Sequence, residues 1–414
     1  MRVTNRVAIL FLLPAVAFAA GPKLQVLHTF LGGSDGDRPR ASLIADSQGN
    51  LYGTTPMGGL NTNCLNTGQI GCGVVFELSP PTKIGGSWRE TILYRFTGGS
   101  DGAVPEASLI FDSAGNLYGT TGEGGAFDGV CNNAVNDIGC GVVFELSPQA
   151  GGAWTEKTLY AFTGNLDGAS PQANVTFDSA GNLYGTTQSG GFCQSGCSEP
   201  YGYGVVFELT PNGTQSWTET TLYAFQGLLD GELPLAGVVF DPIGNIYGTS
   251  SSSVFELTPP SGQGQNWTFI AIGIAGFENS GIVLDSAGNL YGSSVANPGS
   301  VLEFSPLGNG SWNESTLYTF GGKNNNPVGG VVFDSAGNIY GPVAGPFCGG
   351  LYRLQNMDNV WTEAGVDFYK QQNQPCEPQT ALIFGKWGAL YGTTSQGGSC
   401  PANRICGTAF AIYP

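Results

Sequence analysis

Short apolar runs alternate with glycine-rich polar turns along the whole chain, and they do so in a fixed order. The second copy shows the unit in full. ASLIFD (Ala107 to Asp112) is apolar, SAGN is a turn, and NLYGTT alternates large and small residues. A glycine-rich loop follows, then GVVFELSP (Gly141 to Pro148), a second loop, and WTEKTLYAF (Trp154 to Phe162). Alternating and β-branched runs of this length, bounded by Gly, Asn, Asp and Pro, predict four short strands per copy and no helix.

The G-[NA]-[LI]-Y-G core of the second strand recurs at Tyr52, Tyr118, Tyr184, Tyr247, Tyr291, Tyr340 and Tyr391, spaced 66, 66, 63, 44, 49 and 51 residues apart. A constant core with variable spacing means a conserved unit with loops of different length. Four-stranded units repeated in this way predict an all-β fold, a seven-bladed β-propeller with four-stranded blades. A sandwich rarely repeats a four-strand unit seven times, and β-helix coils are much shorter. The fourth strand is expected at Phe30, Phe96, Phe162, Phe225, Ile272, Phe320 and Tyr369.

The chain termini fit a closed ring. LQVLHTF (Leu24 to Phe30) matches a fourth strand with no first three before it. The chain closes with TALIFGKWG, ALYGTT and GTAFAIYP, which match strands one to three with no fourth. The N-terminal strand is therefore expected to complete the last blade, leaving no open sheet edge at the junction.

In D-S-x-G-N the Asp side chain suits hydrogen bonding to backbone N–H groups just ahead of it, and the Gly suits positive φ, as a type I turn with a G1 bulge requires. The same residues partly match a calcium loop, but the full spacing and closing Glu are absent. The small Gly of LYGTT is expected where the next sheet approaches closely.

Composition narrows the reading. Arg2, Arg6, the apolar run Val7 to Phe18 and the Ala17-Phe18-Ala19 pattern mark residues 1–20 as a secretory signal peptide, with 21–414 as one propeller domain. The formal net charge of −17 becomes −19 without Arg2 and Arg6. That surface disfavours nucleic acid and anionic membrane. No further long apolar run follows, so a secreted, extracellular or periplasmic monomer is expected.

Ten cysteines in an exported chain predict disulfides. Four pairs fall within single strand-two-to-three loops: Cys64–Cys72, Cys131–Cys140, Cys193–Cys197 and Cys400–Cys406. Cys348 and Cys376 lie on the same face from neighbouring blades and are expected to pair. No CxxC occurs and His28 is the sole histidine, which argues against zinc.

The stapled loops belong to blades seven, one, two and three. The matching loops of blades four and five are short (Ser250 to Ser253 and Ser294 to Ser300). This lopsided face is the expected binding surface, for a protein or a glycan. Asp35, Asp101, Asp167 and Asp230, each before Gly, lie on the same face; they suit an Asp-Gly turn first, and a cation or sugar hydroxyls second. His28, in the closing strand, reads as a packed or edge histidine. The recurring Glu77, Glu145, Glu208 and Glu256, and Glu90, Glu156, Glu219 and Glu314, read as solvated strand positions, not paired acids. Trp88, Trp154, Trp217, Trp267, Trp312 and Trp361 read as blade-packing anchors.

The unit LYxF-x-GG-x-DG…D-xx-GNLYGTT…GxVFELxP…W resembles the GloVer tandem repeat of bacterial extracellular proteins, with a looser likeness to kelch blades. The resemblance implies a secreted or surface-displayed repeat protein and no particular activity. The expected role is a non-enzymatic scaffold with no cofactor. The alternative is an extracellular propeller enzyme, a calcium-dependent hydrolase or lyase working at the channel mouth.

Overall fold

A computed structural model describes residues 22–414 except 61–63, 65–70, 126–130, 134–135, 138, 192–201, 214–215, 228–229, 263–264, 275, 277–279, 297, 309, 322–325, 346–347, 369–373 and 401–405. The signal-peptide reading and the Cys193–Cys197 pair lie outside the described residues. Seven antiparallel sheets form a seven-bladed propeller. In blade two the strands are Ile110–Phe111, Leu117–Thr121, Val142–Pro148 and Trp154–Ala161, in that order from the channel outward. No α-helix occurs among the described residues; Lys386–Gly388 forms a 3-10 turn.

The ring closes as the termini imply. Lys23–Phe30 runs antiparallel to Gly407–Tyr413, with Leu24 opposite Ile412 and Phe30 opposite Gly407. The pairing shifts register between Val26 and His28, and the same bulge recurs between strands three and four of blades one to five. Such a bulge adds twist to the outer strand.

The ten-residue signature explains the inner hairpin. Asp112 Oδ1 accepts from the N–H groups of Ala114 and Asn116, and Oδ2 accepts from Asn116 Nδ2 and the Tyr118 hydroxyl. Gly115 N–H reaches the Asp112 carbonyl at 3.3 Å with φ 88°. Asp46, Asp178, Asp241, Asp285 and Asp334 repeat the pattern. Blade seven departs from it: Gly385 replaces the Asp, and the Tyr391 hydroxyl donates to the Lys386 carbonyl instead.

The close approach at the LYGTT glycine comes from inside the blade. A Cβ on Gly119 would lie 2.7 Å from the Phe144 ring and 2.9 Å from Leu109. Phe144 sits directly opposite Gly119 on the third strand. The expectation of a neighbouring sheet at this point is therefore corrected: the glycine makes room for its own blade's phenylalanine.

The core is divided among the blade boundaries, with one apolar cluster at each. The Phe ending strand four packs on the ring in strand three of the next blade: Phe30 on Phe76, Phe96 on Phe144, Phe162 on Phe207, Phe225 on Phe255, Phe320 on Tyr352 and Phe368 on Phe410. Phe368 holds this position in blade six; Tyr369, expected there, lies outside the described residues. The tryptophans before or at strand four pack into the same clusters, as anchors should.

A second link joins neighbours. The fourth residue of LYGTT donates its hydroxyl to a carbonyl at the start of the next blade. Thr54 reaches Ala107, Thr120 reaches Ala173, Thr186 reaches Ala236, Thr249 reaches Ser280, Ser293 reaches Gly329, and Thr393 reaches Ala41 across the closing junction. Blade six carries Pro342 at this position and has no hydroxyl to give. Its boundary with blade seven is spanned by the Cys348–Cys376 disulfide.

Candidate functional site

The residues just before each first strand converge on the ring axis, because strand one is innermost in every blade. They enclose a cavity of about 430 Å³. Its wall is uneven. Arg40, Glu106, Gln172, Asn174, Gln188 and Gln379 supply polar side chains from blades one, two, three and seven. Leu235, Gly237, Gly281 and Gly330 line the facing arc with small or apolar surface. Arg40 Nη1 meets Glu106 Oε1 at 2.9 Å, bridging blades one and two. Glu123, in the following loop, has its carboxyl pushed up by burial and by the Glu106 charge.

The stapled loops rise around the same end of the channel. Cys64–Cys72, Cys131–Cys140 and Cys400–Cys406 close within single loops, and Cys348–Cys376 crosses between blades. The polar arc and the three locally stapled loops come from overlapping sets of blades. Sequence reasoning missed the polar arc because those positions vary from copy to copy and carry no motif.

The four Asp-Gly aspartates do not gather at the cavity, and none lines it. Each is absorbed by its own loop. Asp101 Oδ2 accepts from the Tyr94 hydroxyl at 3.0 Å and the Thr97 N–H at 2.8 Å, and Oδ1 accepts from the Gly99 N–H at 3.2 Å. Asp167 takes Tyr160 and Thr163, and Asp230 takes Tyr223 and Gln226. The turn reading accounts for all three, and Asp35 keeps its bonds to the Leu31 and Gly33 N–H groups.

The copies of this blade unit match a known repeat: the profile described as the Gloeobacter/Verrucomicrobia repeat covers residues 129–350. The chain belongs to the Gloeobacter/Verrucomicrobia repeat family. No curated protein matches it in sequence. Among solved structures, it is similar to the extracellular domain of a candidate one-component system from B. thetaiotaomicron, with TM-score 0.51 and 13% identity over 94% of this chain and 41% of that one. A candidate 6-phosphogluconolactonase from Bacteroides uniformis gives TM-score 0.47 and 15% identity over 77% and 84% of the two chains. The PQQ-bound aldose sugar dehydrogenase from Streptomyces coelicolor gives 0.43 and 12% over 95% and 99%. Identities this low bear on fold alone.

Against the other copies, the first junction of this Gloeobacter/Verrucomicrobia repeat protein is unusual. The fourth-strand tyrosine that donates to the loop aspartate in blades one to three is replaced by His28 in the closing strand. His28 Nε2 lies 3.6 Å from Asp35 Oδ2 and 3.5 Å from Glu90 Oε1. Burial pushes the Asp35 carboxyl up, but the nearby His28 ring and the Leu31 and Gly33 N–H groups outweigh it and leave it below its ordinary value.

The fourth-strand glutamates at this level correct the expectation of solvated positions. Burial raises Glu90, Glu156 and Glu219 each to about 7. They are covered because each sits under the Asp-Gly loop of the preceding blade. Glu156 and Glu219 accept a hydroxyl from Thr158 and Thr221, both at 3.0 Å. Blade one has Ile92 at that position, so Glu90 lacks this donor. In the third strand Glu256 is also buried, while Glu314 in the fourth strand is exposed as expected. The histidine-for-tyrosine and isoleucine-for-threonine exchanges were the available sequence signal.

Proposed function

We propose that this protein is a secreted, non-enzymatic propeller that acts as a monomer and binds a hydroxyl-rich ligand, a glycan or a glycan-like polar protein surface, at the loop-framed channel mouth. The observation that carries this reading is the uneven cavity wall. Side-chain amides donate and accept together, as sugar hydroxyls do, and the Arg40–Glu106 pair adds charged partners. The glycine arc leaves a smooth surface for a ring face. A few convergent polar groups in an otherwise small-residue cleft are typical of ligand sites. The disulfides support an oxidising compartment.

The test is a glycan array and pull-down with the purified mature chain, repeated with Gln172→Ala and Asn174→Ala. Binding that weakens in both variants supports the mouth as the site. Binding unchanged in both moves it elsewhere.

A second reading, an extracellular hydrolase or lyase, draws on Glu123. A carboxyl held up by burial beside a second carboxyl group is the arrangement that acid–base glycoside chemistry uses. Turnover of a bound glycan that Glu123→Gln abolishes would favour it.

A further inference from the structure

We propose that His28, Asp35 and Glu90 bind one divalent transition-metal cation of the zinc class, which ties the ring-closing strand to blade one. His28 stands on the outermost strand of blade seven, Asp35 on the loop that follows it, and Glu90 on the outermost strand of blade one. One ligand atom from each falls within 4.8 Å of the other two.

The spacing suits an ion better than direct bonds. The separations of 3.6 and 3.5 Å from Nε2 are too long for hydrogen bonds. Ligand atoms about 2.0–2.2 Å from a tetrahedral ion lie roughly 3.3–3.6 Å from one another. His28 Nε2 and Glu90 Oε1 are shut off from solvent and make no hydrogen bond. Buried polar atoms left in that state are costly unless something fills the gap.

The comparison between copies gives the same answer independently. At the corresponding place in the next two junctions, a tyrosine hydroxyl satisfies the aspartate and a threonine hydroxyl satisfies the glutamate. At the closing junction both hydroxyls are gone. His28 and Ile92 replace them, so two proton donors are lost and an imidazole is gained. One nitrogen and two carboxylate oxygens suit zinc and its neighbours in the first transition row, and calcium wants six to eight oxygens. A water would complete the coordination.

The experiment uses the mature chain stripped with a chelator and titrated with Zn²⁺, Co²⁺ and Ca²⁺ by calorimetry, with the cobalt d–d absorption read in parallel. The expected result is one equivalent of zinc, a tetrahedral cobalt spectrum, a raised unfolding midpoint with zinc, and no comparable response to calcium. His28→Tyr, which restores the residue of the other copies, should fold and lose the cobalt band. Tyr94→Phe, at the next junction, should keep it. Absence of stoichiometric zinc binding by the unmutated chain, or an unchanged cobalt spectrum in His28→Tyr, overturns the site.

Discussion

The boundary between blades two and three and the boundary between blades six and seven join equivalent sheets by different bonds. At the first, Thr120 donates to the Ala173 carbonyl and Phe162 packs on Phe207. At the second, Phe368 packs on Phe410, but Pro342 stands where the hydroxyl should be, and Cys348–Cys376 crosses the gap. The aromatic contact is common to both, so it sets the distance between blades. The polar link is replaceable, and the chain has replaced it with a covalent one.

The comparison is broken most sharply by removing the crosslink. Replacing Cys348 and Cys376 together with Ser should cost about 3–4 kcal/mol in the chain-entropy view, read by denaturant unfolding under oxidising conditions. The same exchange at Cys64 and Cys72, whose separation is 8 residues rather than 28, should cost about 2–3 kcal/mol. If the two losses reverse in order, the six–seven boundary does not depend on its disulfide.

Thr120→Val sharpens the other side. Losing one buried hydroxyl donor should lower stability by about 1 kcal/mol. Pro342→Thr in the disulfide-free background should return about 0.5–1.5 kcal/mol, because it restores the hydroxyl the other boundaries use. No recovery there would mean the carbonyl of blade seven is already satisfied.

The smallest effect concerns pH. Glu156 has its carboxyl raised from 4.5 to about 7 by burial first and the Asp101 charge after it. An acid whose folded value exceeds its unfolded value favours folding while protonated. Its contribution is complete below the unfolded value and fades as pH rises through the folded one. The unfolding midpoint of Glu156→Gln should therefore fall less than that of the unmutated chain between about pH 5 and about pH 8. Glu219→Gln should behave alike, and a parallel fall in all three proteins would remove the effect from these residues.

The seven tyrosine cores and the split terminal blade were legible because strand pattern and turn chemistry are local. Cys348 and Cys376 could be paired from topology alone, since both loops had to emerge on one face. The inter-blade hydroxyl links were not legible: nothing in LYGTT says that its fourth residue reaches the next copy. The burial of Glu90, Glu156 and Glu219 was hidden for a similar reason, as loops from another blade cover them. His28 looked like a packed histidine until its equivalence to Tyr94, Tyr160 and Tyr223 was fixed by the register of the outer strands. The channel's polar arc had no repeated signal, because its residues differ from copy to copy.

Placing Lys23–Phe30 beside Gly407–Tyr413 has a consequence for biosynthesis. The propeller's first strand to be made has its partner in the propeller's last. Six wedges can assemble as they emerge, but the circle stays open until residues 407–413 have been made. A nascent chain stalled before residue 407 would keep its leading strand unoccupied, an adhesive edge that a chaperone must guard.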